Sequence, residues 1–167
     1  NLCQRLLKEG LKVRASVRQK PQDPIKDVEY VIINSIDGET NWSSSLKNVS
    51  VVFHLAARVH MMTDKAGNSL YEQTNTEGTL HLAREAQQAH VKHFIFASSI
   101  KVNGEENPTP YCETDNPAPF DDYAVSKWKA EEGLKNLSSQ GEMGITILRF
   151  PLVYGPKVKA NFLRLIG

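Results

Sequence analysis

The chain alternates short apolar runs with longer amphipathic stretches. Leu2, Leu6 and Leu7 recur at helical spacing with Gly10 behind them, which predicts a helix over residues 1–9. Residues 13–18 and 28–33 read as strands, separated by a Pro-containing loop. A polar loop and a short helix over 42–46 lead into Val51-Val52-Phe53-His54-Leu55-Ala56-Ala57. That continuous apolar run suits a strand buried on both faces of a parallel sheet. Helical periodicity over 69–89 offers Leu70, Leu80, Leu82 and Ala86 for packing, and residues 93–97 form the next buried strand. Residues 101–121 are rich in Pro, Asn, Asp and Glu and read as one long loop. A helix over 123–137 and a strand over 144–150, closed by Pro151, follow. Strands alternating with helices predict right-handed βαβ units and an α/β, doubly wound parallel sheet.

Composition narrows this only a little. Of 167 residues, 40% are hydrophobic and 23% charged, which sets aside disorder and coiled coil. Twenty basic against 19 acidic side chains leave +1 with no basic block, so nucleic acid is not an expected partner. No apolar run approaches the roughly 20 residues of a membrane span, so no membrane partner is expected. Cys3 and Cys112 have neither metal-ligand spacing nor disulfide density, so no metal is expected and a cytoplasmic setting fits.

The chemistry concentrates late in the chain. Tyr123-Ala124-Val125-Ser126-Lys127 sets a phenol and an ammonium at i and i+4, which share a helix face. Free tyrosine, with a pKa of about 10, is a poor base at neutral pH. A fixed cation nearby favours phenolate. A pair on an exposed helix surface has the same spacing, so context must decide. Ser98-Ser99 follows the 93–97 strand, at the carboxyl edge where open α/β sheets collect ligands. A serine closing the strand-to-loop turn reads alike. His54-Leu55-Ala56-Ala57 ends another strand in small side chains that let a flat ligand approach, or that simply pack closely. Asn75 lies inside a helical pattern despite poor propensity, as a buried brace near the same edge.

Taken in order, His54–Ala57, Asn75-Thr76-Glu77-Gly78-Thr79, Ser98-Ser99-Ile100-Lys101-Val102-Asn103-Gly104, Tyr123–Lys127 and Arg149-Phe150-Pro151-Leu152-Val153-Tyr154-Gly155-Pro156 resemble the extended short-chain dehydrogenase/reductase family. The likeness is to its NAD-dependent epimerase/dehydratase members, in the UDP-glucose 4-epimerase-like, nucleotide-sugar branch. It implies Tyr123 as catalytic base, Lys127 on the nicotinamide ribose and lowering the phenol's pKa, and Ser99 orienting the sugar 4-hydroxyl. It implies Leu55, Ala56, Ala57, Asn75 and Pro151 along the dinucleotide, and Asn161 and Phe162 toward the nucleotide sugar. The implied activity is epimerisation at carbon 4 of a UDP-hexose, with a 4-ketoreductase or a non-catalytic dinucleotide sensor as alternatives. A homodimer through segments 69–89 and 123–137 is likewise the family's expectation. Met61 and Met62 are candidate substrate-side contacts or loop filler.

The departures shape the expectation. The family opens with a strand and a glycine-rich turn; here the only glycine before Gly38 is Gly10. The resemblance therefore implies an internal piece of a longer protein: 1–156 an incomplete dinucleotide-binding domain, 157–167 the start of a substrate segment. The acidic ribose-binding position is replaced around Val17-Arg18, and an arginine there also suits a 2′-phosphate, so NAD is expected and NADP stays open. Family 4,6-dehydratases carry an Asp-Glu pair after the residue matching Ser99. Ile100-Lys101 stands there instead, which argues against dehydration.

Overall fold

The computed structural model describes residues 1–59, 69–106 and 109–155. Helix α1 (Leu2–Lys8) leads through Gly10, in the left-handed region at φ 76°, into strand β1 (Val13–Val17). Strand β2 (Val28–Ile32), the short helix α2 (Ser43–Leu46) and strand β3 (Val51–His54) follow. One long helical stretch comes next: α3 (Ser69–Tyr71), a π-helical turn over Glu72–Glu77, and α4 (Gly78–Gln88). Strand β4 (His93–Ser99), a 3-10 turn (Ile100–Val102), helix α5 (Asp122–Ser139) and strand β5 (Gly144–Phe150) complete the described chain.

Among the described residues all strand pairs are parallel, and they fall into two groups: β1 with β2, and β3-β4-β5 in that order. The expected α/β doubly wound class is therefore observed, with β1 and β3 not hydrogen-bonded to each other. Helix α2 bridges the groups: Arg14 on β1 donates to the Ser45 and Lys47 carbonyls, and the Ser16 and Ser45 hydroxyls bond at 2.9 Å. A single apolar core joins them, from Ile33, Trp42 and Leu46 to Leu82, Phe94, Phe96, Ala130 and Leu134.

Two expectations shift. Strand β3 ends at His54 rather than Ala57, and its Val51 and Phe53 side chains are 43% and 38% exposed instead of buried. Only the Val52 and His54 side faces the helices, so β3 is covered on one face among the described residues. Strand β4 runs on through Ser99, and its burial alternates with period two: Phe94, Phe96 and Ser98 turn inward.

Close approaches at two glycines seat the helices, one between α5 and α4 and one between α4 and the loop after β2. A Cβ on Gly133 of α5 would sit 2.5 Å from Leu80 of α4, and one on Gly78 would sit 2.9 Å from the Ile36 backbone. Both helices thereby settle onto the sheet with Phe94 and Phe96 fully covered.

Candidate functional site

The site lies where the carboxyl ends of β3, β4 and β5 meet the first turns of α5. Asp121 caps α5, its Oδ1 accepting the Ala124 N–H at 2.7 Å. From that start Tyr123, Lys127 and Glu131 succeed one another at i, i+4 and i+8 along one face. Tyr123 is half-buried, while Lys127 and Glu131 are 1% and 0% exposed. Ser99, the last residue of β4, and Tyr123, in the first turn of α5, are near enough for the Ser99 side chain to favour the ionised phenol. Burial raises the phenol above the ordinary tyrosine range. The Ser99 side chain opposes this, the charge of Asp121 adds to it, and the charge of Lys101 lowers it.

Lys127 turns inward. Its ammonium stands 4.0 Å from the centroid of Phe96, and that ring stacks on His54 with centroids 5.9 Å apart. Burial pulls the Lys127 pKa down to about 8, against the favourable charge of Glu131. The charge of Lys101 favours the ionised phenol, and Lys127 lies over the aromatic floor. Burial likewise holds His54 at about 3, helped by the Lys127 charge, so the imidazole is neutral and bonds the Thr79 hydroxyl at 2.9 Å.

Glu131 closes a buried network that sequence reasoning did not single out. Its Oε2 accepts from Arg149 Nη2 at 2.7 Å, Arg149 Nε lies 3.1 Å from both oxygens, and Ser98 Oγ donates to Oε1 at 2.5 Å. Arg149 also donates to Asn103 Oδ1 at 3.1 Å. Helix α5, the ends of β4 and β5, and the turn after Ser99 are thus tied at one carboxylate. The available signal is that Glu131 continues the Tyr123–Lys127 spacing by one more turn.

Asn75 is buried in the π-helical turn, a deformation frequent at functional positions. Its Oδ1 accepts the Arg58 N–H at 2.7 Å, and Nδ2 donates to the Arg58 carbonyl and to Ser126 Oγ, both at 3.0 Å. Thr76 donates to the Ser126 carbonyl at 2.9 Å. The amide thus braces the loop after β3 against α5. Leu55 and Ala56 are exposed on that loop, Ala57 is half-exposed, and Pro151 is exposed beyond β5. Asn161 and Phe162, like Met61, Met62 and Pro156, lie outside the described residues.

This edge suits a dinucleotide in part. Small or exposed side chains at 55–57 leave the chain accessible just past the end of β3, as a flat ring and a ribose need. No glycine-rich phosphate turn occurs within the sequence. Among the described residues there is no His, Cys, Asp and Glu cluster fit for a metal ion and no helix long and apolar enough to cross a membrane.

Comparison with known proteins adds the family context. The profile described as "NAD dependent epimerase/dehydratase family" matches residues 1–165. The UDP-glucose 4-epimerase of Vibrio cholerae is 46% identical over 138 residues, 80% of this chain and 42% of that protein. The dTDP-D-glucose 4,6-dehydratase of Homo sapiens is 29% identical over 125 residues, 72% of this chain and 36% of that protein. Among solved structures, MoeE5 in complex with UDP-glucuronic acid and NAD superposes with a TM-score of 0.86 at 30% identity. The match covers 99% of this chain and 55% of MoeE5. The chain thus spans less than half the length of the two curated relatives.

Proposed function

Because the chain belongs to the NAD dependent epimerase/dehydratase family, we propose that the protein carrying it is a nucleotide-sugar 4-epimerase acting on a UDP-hexose. The carrying observation is that Ser99, at the end of β4, acts on the Tyr123 phenol, at the start of α5, the two ends being tied through Lys101 and Asp121. It sets a donor for a sugar oxygen beside an acid–base group.

In this reading Ser99 orients the 4-hydroxyl and Tyr123 takes its proton, then returns one when the sugar is restored. Leu55, Ala56, Ala57 and Pro151 line the dinucleotide. Asn75 supports it through the Arg58 backbone, and the Lys127 ammonium serves the ribose. When bound, NAD would accept and return hydride at carbon 4. NAD is favoured by the relatives' cofactor, while Arg18 keeps NADP compatible. Residues 1–156 carry the dinucleotide side, and 157–167, with Asn161 and Phe162, begin the nucleotide-sugar side. The cytoplasm and a homodimer complete the reading.

Dehydratases occur among the relatives. Against that activity here, Lys101 is occupied by Asp121 and Glu105, and Ile100 has no acid–base group. The test is to incubate the full-length protein with UDP-galactose or UDP-N-acetylgalactosamine and NAD. The 4-epimer is expected, and Tyr123→Phe should abolish its formation. Undiminished turnover by that variant would remove Tyr123 from the mechanism.

A further inference from the structure

We propose that Lys101 is a positioning residue for the Ser99–Tyr123 pair: through Asp121 it ties the turn after Ser99 to the first turn of α5 and balances the charge beside the phenol. The inference rests on the reading of Tyr123 as the acid–base group.

The geometry is a strap. Lys101 is the middle residue of the 3-10 turn that Ser99 caps, and its N–H donates to Ser99 Oγ at 3.3 Å. Its Nζ donates to Asp121 Oδ2 at 2.6 Å and to Glu105 Oε1 at 2.8 Å. The other oxygen of Asp121 holds the N-terminus of α5 through the Ala124 N–H. One carboxylate therefore grips the helix with one oxygen and the Ser99 turn with the other, two residues before Tyr123. Two elements twenty residues apart in sequence are thereby held together where Ser99 and Tyr123 stand.

The same pair sets the local field. Asp121 alone would oppose ionisation of Tyr123, and the Lys101 ammonium compensates it. The hydrogen bonds that Lys101 donates to Asp121 and Glu105 raise its pKa above the ordinary lysine value. Lys127, one turn along the same helix, spends its ammonium over Phe96 with Glu131 as counter-charge. Asp121 and Lys101 both act on the phenol, and Lys101 is also ion-paired with Glu105. Both partners are partly exposed, so the effect should be screened by salt.

The test is a ¹³Cζ-tyrosine NMR titration of the full-length protein at low salt, with the Tyr123 resonance assigned by its loss in Tyr123→Phe. Lys101→Gln should move the Tyr123 midpoint upward, by less at high salt, and Lys101→Arg should hold it in place. Asp121→Asn, which keeps a capping side chain, should move it downward. Should Lys101→Gln fail to fold, Asp121→Asn decides alone: a downward shift supports the role, and a fixed or rising midpoint overturns it. UDP-hexose turnover by the same proteins separates the two readings. Shifted midpoints in a protein that converts no UDP-hexose would defeat the proposed activity and leave the role of Lys101 standing. Turnover with the acid limb of kcat/KM unmoved in Lys101→Gln would defeat the role and leave the activity standing.

Discussion

The carboxylate of Glu131 on α5 meets the guanidinium of Arg149 on β5 at 2.7 and 3.1 Å, with Ser98 as third partner and essentially no water access to Glu131. Breaking such a pair from one side strands a buried charge, and it costs more than the pair's net contribution. Glu131→Gln should lose about 3 kcal/mol in urea unfolding. Glu131→Leu with Arg149→Met should recover most of that. Equal stability of the single and double variants would show that the stranded charge is not the cause.

Lys127 makes a second prediction, about pH. Its folded-state value, about 8, lies below the unfolded value near 10.4, so between them the unfolded chain holds more protons. Stability should therefore rise as pH goes from 8 to 10.4. Burying the ammonium costs most below pH 8. Lys127→Met should stabilise the fold at pH 7 by about 2 kcal/mol and flatten that slope, while turnover of a UDP-hexose is lost. Stability curves are the measurement.

His54 acts at the acid end. With its folded value near 3 and an unfolded value near 6.5, the unfolded state again binds the extra proton. The contribution from His54 is complete above pH 6.5 and is lost as pH falls toward 3. In ¹H–¹⁵N spectra its imidazole should stay neutral from pH 5 to 8. A titration in that range would place the ring in water rather than against Phe96 and Thr79.

Gly78 tests the packing that seats α4. Its virtual Cβ meets backbone atoms of Ile36 and Asp37 at 2.9 and 3.0 Å, which no side-chain rotation can relieve. Gly78→Ala should lower stability by about 2 kcal/mol despite the better helix propensity of alanine. A gain in Tm would mean that the loop after β2 yields.

How much of this is legible in the sequence follows from what each residue depends on. Strand β4 can be read because Phe94 and Phe96 alternate within a few residues, and helix α5 because Tyr123, Lys127 and Ala130 keep one face. That Ser99 ends β4 and Tyr123 begins α5 can be read as well, through the order of motifs. The bracing of the loop after β3 cannot, since the backbone of Arg58 is held by the Asn75 amide from a π-helical turn with no local signature. Lys101 and Asp121 stay hidden for a related reason. Nothing in the 101–121 loop announces that its two ends are joined by a hydrogen bond. The inward turn of Lys127 depends on Phe96 and His54 from two other strands, so the i, i+4 spacing that pairs it with Tyr123 could not show it.

The central claim concerns carbon 4, and a substrate deuterated there tests it most directly. The full-length protein is supplied with UDP-[4-²H]galactose and NAD, and the sugar nucleotides are analysed by NMR and mass spectrometry. The account predicts the 4-epimer with deuterium retained at carbon 4 and no net build-up of reduced cofactor. A dehydrated 4-keto product, or no conversion at all while Tyr123 and Ser99 are intact, would contradict it.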